Sequence, residues 1–590
     1  MCRINGIINS YSNNLQSNTI VMRDAMKHGG PDNGGIYYDE SISLGLGHRR
    51  LSIIDLTEAG NQPMQSNNGL LTLIFNGEIY NFPDLKNDLE HKGHHFNTHS
   101  DTEVILAAYQ YWGSECFAKF RGMFALAIYD SEKNKIILAR DHAGIKPLYY
   151  FFDKHSLYFA SEIRAFKKLD VSWEEDKDWK IFFLTYGYLP SNATTLKGVK
   201  PLEKGSFITI DIASLTIKQS FFLQDHFTEE IKDLHLAKEL IKEALDNSVK
   251  RHLIADAPIG LFLSGGIDSS LLTILAKKHK PELHTLSIIF DDENYSEKKF
   301  QDIIAKKVGS KHQSFLLNKE VFISSLPDIL LAMDQPSSDG INSYFISKFA
   351  KEAGLKAVLS GLGADELFGG YSSFSRGELI SKIKRFPSLI HALAAKLPQD
   401  KYRKINFLKN KDLLGDYLFS RGYYTPLETA KLLDIDVKEV LSVLNSTPIP
   451  AFVNTLSEGN KTSYFESNLY MEGQLLKDTD IMSMWHSIEV RVPFLDYDFT
   501  SLVHRISSNL KFDNRQSKFL LIESFKDILP EEIWNRKKQG FVFPFDVWMK
   551  DYTDNLATDK NSIALNKRFK AGNLTWSRYW TYLVSQSFKA

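Results

Sequence analysis

The chain has 590 residues and 67.4 kDa, a length that accommodates about four domains at most, at roughly 150 residues each. A hydrophobic fraction of 43% can fill a large core, and 34 glycines with 18 prolines exclude collagen-like and disordered classes. Opposite charges cancel to a net −1, so composition gives no electrostatic footprint for nucleic acid or an anionic membrane surface. Two cysteines are too few for a disulfide-dense scaffold or for a zinc site built mainly from thiolates.

The hydropathy pattern contains neither a membrane span nor an export signal. No run approaches the roughly 18 to 20 apolar residues that span a bilayer. The N-terminus turns polar at Asn9 and therefore lacks the apolar core of a secretory signal. We expect a cytoplasmic protein of two sizeable domains, with no nucleic-acid or membrane partner; a homodimer is left open.

The first 220 residues alternate short apolar runs with turn signals, which predicts packed sheets with a few covering helices. Strands are expected over 70–75, 123–129 and 135–139. Asn76-Gly77 supplies a turn signal at the end of the first of these strands. Apolar residues at helical spacing predict a helix over 101–112.

From about Glu229 the pattern changes to helical periodicity with buried strand-like runs between the helices. Apolar runs at 258–263, 284–290 and 356–359 are separated by helical segments, which is typical of βαβ units and a parallel sheet. The C-terminal third of the chain is expected to be largely α-helical. The basic segment Lys396 to Lys411 is interpreted as a solvated helical face and loop rather than a binding arm.

Cys2 follows the initiator methionine, and a residue this small permits removal of Met1. The mature chain would then carry a thiol beside its own α-amine, whose pKa of about 7.7–8.0 lets it act as base for that thiol. A small residue at position 2 by chance is the plain alternative. The assignment therefore depends on the residues that accompany Cys2.

Three further segments offer groups that such a thiol would need. Asn76 has a side-chain amide and Gly77 an unobstructed backbone N–H, which together could bind an oxyanion, although Asn-Gly is also an ordinary hairpin signal. Arg49 and Arg50 adjoin an apolar strand, and one of them could hold a carboxylate bidentately. Asp101 lies in a helix-capping segment and could alternatively bind an ammonium group.

Together these segments resemble the class II glutamine amidotransferase domain, an N-terminal-nucleophile hydrolase with an αββα sandwich. The resemblance runs over about the first 165 residues and includes the segments 140–149 and 160–162. It implies that the thiol attacks the side-chain amide of glutamine and releases ammonia. The roles implied are catalysis by Cys2, Asn76 and Gly77, and glutamine binding by Arg50, Asn76, Glu78 and Asp101.

One departure and one histidine cluster accompany this resemblance. The family usually has arginine where this chain has Gly29. The departure raises the question of what supports this loop, but it affects no residue with a direct catalytic role. His91, His94, His95 and His99 match no metal-ligand spacing, so a polar hairpin loop is expected there instead of a metal site.

The most informative stretch is an apolar strand at 261–263 that runs into Ser-Gly-Gly-Ile-Asp-Ser-Ser at 264–270. Glycines let the backbone approach a ligand closely, and successive N–H groups with a helix N-terminus form an anion nest. The loop is not a Walker A motif, since no Gly-Lys-Ser/Thr follows. A glycine turn with an Asp cap would explain a lone Gly-Gly-x-Asp, but not serines on both sides of it.

This stretch is similar to the phosphate loop of the ATP pyrophosphatases, which cleave ATP to AMP and pyrophosphate while adenylating a substrate. A second likeness covers 359–371, where Asp365 and Glu366 follow a strand end. Asp268 and Asp365 could hold Mg²⁺ against the phosphates, although an Asp-Glu pair also opens many helices. The ATP-binding residues so implied are Leu263, Ser264, Gly265, Gly266, Asp268, Ser269, Ser270, Ser360 and Gly361.

In combination and order, these motifs resemble the glutamine-hydrolysing asparagine synthetases over nearly the whole chain, with further matches at 482–496, 517–518 and 536–541. The resemblance implies a glutaminase domain over 1–220. It also implies an ATP-pyrophosphatase domain with a parallel sheet and a helical C-terminal part over 229–590.

The same resemblance implies a reaction at two sites. Ammonia from glutamine would pass through an internal tunnel, and the second domain would adenylate the β-carboxyl of aspartate with ATP and Mg²⁺ before ammonia displaces AMP. Lys518 aligns with the family's active-site lysine and would stabilise charge on the departing nucleotide. A solvent-exposed helix lysine is the plain alternative for this residue.

Leu362 is where the chain departs most from this family, which carries an acidic residue between the two glycines. A leucine can neither take a proton from ammonia nor orient the amine of the acceptor. Aspartate is still the expected acceptor, because the other motifs are retained. Two alternatives stay open: a related amidotransferase for another carboxylate, such as a sugar acid or an antibiotic precursor, and a non-catalytic homologue.

Overall fold

The computed structural model describes residues 2–9, 14–223, 226–394, 400–513, 515–536, 543–550 and 552–588. Of the sequence motif at 536–541, only Arg536 lies within these ranges. In the described part of the chain, no helix is long and apolar enough to cross a membrane.

The N-terminal part of the chain forms two six-stranded antiparallel sheets. Their strands are β1 (Arg3–Asn9), β2 (Asn33–Asp39), β3 (Leu44–Arg50), β4 (Met64–Gln65), β5 (Leu71–Ile79), β6 (Gly122–Asp130), β7 (Lys135–Arg140), β8 (Tyr149–Phe152), β9 (Ser156–Ala160), β10 (Lys200–Pro201), β11 (Ser206–Asp211) and β12 (Thr216–Phe221). The strand orders are β10-β8-β9-β1-β3-β2 and β12-β11-β7-β6-β5-β4.

A five-stranded parallel sheet follows in the C-terminal part, as the apolar runs predict. Its strands are β13 (Ile259–Phe262), β14 (His284–Ile289), β15 (Lys311–Leu316), β16 (Ala357–Leu359) and β17 (Glu489–Arg491). The order β15-β14-β13-β16-β17 places a topological switch point between β13 and β16. In open parallel sheets, ligands bind at the carboxyl ends of the strands at such a point.

Helices cover both sheet systems and dominate the C-terminal part, as predicted. They are α1 (Leu15–Asp24), α2 (Phe82–His91), α3 (Asp101–Trp112), α4 (Cys116–Lys119), α5 (Ile163–Lys167), α6 (Trp179–Tyr186), α7 (Leu234–His252), α8 (Ile267–His279), α9 (Lys298–Val308), α10 (Lys319–Ala332), α11 (Ile341–Glu352), α12 (Ala364–Phe368), α13 (Gly377–Lys384), α14 (Ser388–Ala394), α15 (Asp400–Arg403), α16 (Leu413–Arg421), α17 (Pro426–Leu433), α18 (Val437–Leu444), α19 (Glu458–Phe465), α20 (Lys477–Trp485), α21 (Tyr497–Arg505), α22 (Ser508–Lys511), α23 (Phe519–Phe525), α24 (Glu531–Trp534), α25 (Phe545–Trp548), α26 (Lys560–Lys570) and α27 (Trp576–Ser587).

Strand β6 shows how the layers are built. Ala125 and Ala127 pack against the other antiparallel sheet, whereas Leu126 and Ile128 pack under α2 and α3. This alternation follows from the two-residue period of a strand. Because β6 is covered on both faces, its sequence is a continuous apolar run. The predicted αββα sandwich is confirmed.

Two local predictions were wrong. The strand expected to end at a turn runs on through Ile79, with Asn76 paired to Ala125 and Gly77 paired to Phe124 of β6. The histidines expected in a hairpin loop lie at the end of α2 and in its connection to α3, which joins two helices rather than two strands.

Candidate functional site

The Cys2 side chain lies immediately before β1, a strand in the interior of its sheet. It is 8% exposed, and its Sγ lies 4.0 Å from the carbonyl oxygen of Leu51. Burial raises the pKa of the Cys2 thiol to about 11. With its nitrogen in a peptide bond, this thiol is therefore neutral near pH 7, and a nearby base is required to make it nucleophilic.

Asn76 and Gly77 lie within β5, on the sheet that faces Cys2. Asn76 is fully buried, and neither its Nδ2 nor its Oδ1 has a hydrogen-bond partner among the described residues. Gly77 has φ +152°, and a Cβ there would lie 2.0 Å from the carbonyl oxygen of Met123. Buried polar groups are normally paired, so an unpaired amide at this position indicates a ligand that would pair with it.

The Arg50 guanidinium is held by the loop that follows β3. Its Nη1 donates to the carbonyl oxygen of Thr57 (2.6 Å) and to Asn61 Oδ1 (2.9 Å). A Cβ on Gly60 would lie 2.1 Å from Arg50 Nη2, so a side chain there would displace the guanidinium. A carboxylate bound by Arg50 would have to replace some of these loop contacts.

Glu78 and Asp101 form an acidic pair beside Asn76. The backbone N–H of Ile79 donates to Asp101 Oδ2 (3.0 Å), and burial raises the pKa of Asp101 to about 6. Burial, with Glu489 next in effect, raises the pKa of Glu78 well above its usual range. Arg491 on β17, whose Nη2 lies 3.5 Å from Glu78 Oε2, opposes this rise in pKa. A residue of the parallel sheet therefore contacts this acidic pair.

The position of Gly29 is explained by its neighbour Arg3. A Cβ on Gly29 would lie 2.7 Å from Arg3 Cγ, so an arginine there would collide with that side chain. Arg3 is fully buried and pairs with Glu162 (2.5 Å) and with Asp480 on α20 (2.8 Å). The residue next to Cys2 thus ties the glutaminase-like sheet to the helical part of the chain, and His28 completes the cluster through Glu162.

The predicted phosphate loop follows β13 at the switch point. Leu263 N–H donates to the carbonyl oxygen of Leu286 (2.8 Å), and Ser264 Oγ contacts Ser269 Oγ (2.9 Å). Gly265 has φ +84°, which a side chain would strain, and Gly266 N–H donates to Ser264 Oγ (3.3 Å). The hydroxyl of the buried Ser270 has no hydrogen-bond partner among the described residues.

Lys518 joins the two carboxylates that the sequence suggested for Mg²⁺. Its Nζ lies 2.5 Å from Asp268 Oδ2 and 2.5 Å from Asp365 Oδ1. Burial opposes the charge, but the two carboxylates outweigh it and raise the pKa of Lys518 above its ordinary value. A Cβ on Gly370 would lie 2.7 Å from Lys518 Cε, so glycine leaves room for the lysine. The exposed-lysine alternative is wrong, since Lys518 is 4% exposed.

The two carboxylates fit Mg²⁺, which proteins bind through one or two carboxylates together with substrate phosphates. They converge on one atom, Lys518 Nζ, and so lie within reach of a single ion. Ser360, which follows β16, and Gly361 lie against them: a Cβ on Gly361 would lie 2.9 Å from Asp268 Cβ. Arg536 supports the loop from outside by donating to the carbonyl oxygen of Gly265 (3.1 Å).

A cavity of about 260 Å³ adjoins the phosphate loop, and Leu362 lies in its wall. Burial, with Asp365 next in effect, raises the pKa of Glu366 to about 7, and burial with Asp339 raises that of Asp478 to about 8. Sequence reasoning missed the wall residues that come from α11, from the segment before it and from α20, because no local pattern marks them. They are Asp339, Asn342, Ser343, Asp478 and Thr479.

The two candidate sites adjoin one continuous apolar core. Leu51 and Ile53, which follow β3 beside Cys2, belong to the same buried cluster as Leu263 at the phosphate loop and Val490 on β17. The Asp256 N–H and the Ile53 carbonyl oxygen also bond across the contact (3.0 Å). Buried apolar side chains therefore connect the surroundings of Cys2 with those of the phosphate loop.

Comparison with known proteins agrees with this arrangement. The asparagine synthase family model matches residues 240–571, and the glutamine amidotransferase domain model matches residues 1–222. Asparagine synthetase [glutamine-hydrolyzing] 1 of Bacillus subtilis is 34% identical over 93% of this chain and 88% of its own length. Asparagine synthetase B of Escherichia coli is 28% identical over 99% and 90%, and amidase chry2 of Gibberella zeae is 26% identical over 89% and 84%. The resemblance predicted from the motifs is confirmed, and the chain belongs to the glutamine-hydrolysing asparagine synthetase family.

Proposed function

We propose that this protein makes asparagine from aspartate, glutamine and ATP, using a glutaminase domain over 1–220 and a synthetase domain over 229–590. The observation that carries the proposal is one buried apolar core that adjoins both Cys2 and the phosphate loop. An apolar path through this core would keep ammonia unprotonated, whereas water would protonate and dilute it. This arrangement supports transfer from one site to the other within the molecule.

At the first site, the Cys2 thiol attacks the amide carbon of glutamine after Met1 is removed. The free α-amine takes the thiol proton and returns it to the leaving ammonia. Asn76 Nδ2 and the Gly77 N–H stabilise the oxyanion, and Arg50, Glu78 and Asp101 bind the α-carboxylate and α-ammonium of glutamine. Water then hydrolyses the thioester and releases glutamate.

At the second site, the loop 264–270 with Ser360 and Gly361 binds ATP. The β-carboxylate of aspartate attacks the α-phosphorus, pyrophosphate leaves, and ammonia then displaces AMP from the mixed anhydride. Asp268 and Asp365 would hold Mg²⁺, which supplies neutralisation of phosphate charge when bound. Lys518, released from these carboxylates, would stabilise the charge of the departing nucleotide.

A second candidate is amidation of a different carboxylate. Leu362 favours it, because this leucine lies in the cavity wall where the family carries an acidic side chain. The test is AMP formation from Mg-ATP with and without aspartate, with glutamate release measured as proof of a working glutaminase. We expect aspartate to stimulate AMP release, with ammonia transfer slower than adenylation. No stimulation would favour the second candidate.

A further inference from the structure

Helices α13 and α14 and the short connection between them carry exposed apolar side chains outside both candidate sites. Leu389 is 71% exposed, and Leu379, Phe386, Ile390 and Leu393 are each about half exposed. Single exposed apolar residues are ordinary on protein surfaces, but five within 15 consecutive positions form a patch that calls for a partner. We call these five residues the α13–α14 face.

The α13–α14 face is held in place from beneath. Ile380 and Ile383 pack against the helical core of the C-terminal part. His391 is fully buried, and its Nε2 bonds to the carbonyl oxygen of Ile383 (2.9 Å), which fixes α14 on α13. Ser388 Oγ donates to the carbonyl oxygen of Lys409 (3.3 Å). The inner side chains are thus anchored, and the outer ones project from a fixed surface.

Basic residues are frequent in the part of the sequence that carries this face. The segment 376–411 contains ten Lys and Arg against two acidic residues, although the whole chain has a net charge of −1. Lys384 is paired with Asp416 (2.6 Å), but Arg385, Lys409 and Lys411 are exposed, and Lys409 lies next to α14 through its bond with Ser388. The net charge of the whole chain is therefore close to zero although this segment has a strong excess of positive charge.

We propose that the α13–α14 face docks on an anionic lipid surface. Projecting Leu, Ile and Phe side chains suit the acyl boundary, and a basic rim suits anionic headgroups, which is the combination found on interfacial helices. A second copy fits less well, because a symmetric dimer through this face would bring two strongly basic segments together. The expectation of a solvated face concerned 396–411, whereas these exposed apolar side chains precede that segment in the chain.

The test is flotation of the full chain with vesicles of phosphatidylcholine alone or mixed with phosphatidylglycerol. We expect binding only to the anionic vesicles, with loss on raising the salt concentration. Leu389→Gln with Ile390→Gln should abolish it, and Arg385→Gln with Lys409→Gln should weaken it about tenfold or more. The matched controls are Leu331→Gln, at an exposed leucine of α10, and Lys197→Gln, at an exposed lysine elsewhere.

The far-UV circular dichroism and the thermal unfolding midpoint, measured for every variant, verify that each one is folded. Binding by the controls together with loss in the patch variants would support the proposal. Equal recovery of wild type and patch variants, or no flotation of wild type, would overturn it. So would a dimer mass in light scattering that the Leu389→Gln/Ile390→Gln variant reduces to a monomer mass, since the face would then join two copies.

Discussion

Around Cys2 the polar groups lie in or beside central β-strands, and Asn76 keeps both of its amide atoms unpaired. At the phosphate loop the carboxylates of Asp268 and Asp365 are already satisfied by Lys518. At the first site the sheet fixes Asn76 and Gly77 before a substrate arrives, and only Arg50 would have to exchange loop contacts for a substrate carboxylate. The second site must exchange partners when a nucleotide and a cation enter. Substitutions should consequently separate the two sites cleanly.

The largest effect is expected for Cys2→Ala. This change removes the nucleophile, so glutamine-dependent synthesis should fall by about 10⁴-fold or more. Synthesis from added ammonia should persist, because adenylation occurs at the other site. Asparagine formed from each nitrogen source is the measurement. Loss of both activities in a folded variant would contradict the separation of the sites.

Asp268→Asn should produce the reverse pattern. An amide cannot balance the charge of Lys518 or of Mg²⁺, so AMP release should fall by about 10³-fold while glutamate release persists. Asp513→Asn, at a partly exposed carboxylate paired only with Arg515 in the described contacts, is the matched control. AMP release at the wild-type rate from Asp268→Asn would show that this residue has no role at the phosphates.

Asn76→Ala tests whether the unpaired amide serves an oxyanion. Loss of one such donor typically costs about 10²- to 10³-fold in kcat, and we expect that loss in glutamate release alone. Asn81→Ala is the control, since the Asn81 amide already donates to the carbonyl oxygen of Lys119 (3.0 Å). An unchanged kcat for Asn76→Ala would remove this residue from the mechanism.

The smallest effect concerns pH. Asp101 has a pKa of about 6, raised by burial and by Glu489 and lowered by Arg491. It is ionised above that pH and binds an ammonium group best there. KM for glutamine should therefore rise as pH falls through 6, by up to about tenfold per unit. Asp101→Asn should have a high KM that no longer changes in this range; a retained pH dependence would assign it to another group.

The sequence predicted the parts whose chemistry is local. The loop 264–270 was recognisable because glycine, serine and aspartate at this spacing after a buried strand are typical of a phosphate-binding loop. The Cys2 assignment relied on several separate motifs. Asn76-Gly77 was misread as a turn, because the same dipeptide also fits a strand where Met123 leaves no room for a side chain.

Contacts between distant segments could not be predicted in this way. Arg491 reaches the acidic pair only because β17 lies at the edge of the parallel sheet that faces the glutaminase-like part. Asp339 and Asp478 meet at the cavity because Gly340, which precedes α11, packs against Asp478. No periodicity or spacing within either segment predicts that the two segments are in contact. Lys518 was found only through resemblance.

The central claim is that nitrogen released at Cys2 reaches an adenylated aspartate without leaving the protein. The most direct measurement supplies glutamine labelled with ¹⁵N in its amide, aspartate, Mg-ATP and an excess of unlabelled ammonium, and determines the label in asparagine by mass spectrometry. We predict asparagine that is mostly ¹⁵N-labelled. Asparagine whose label matches the diluted ammonia in solution, or no asparagine while glutamate is released, would contradict the account.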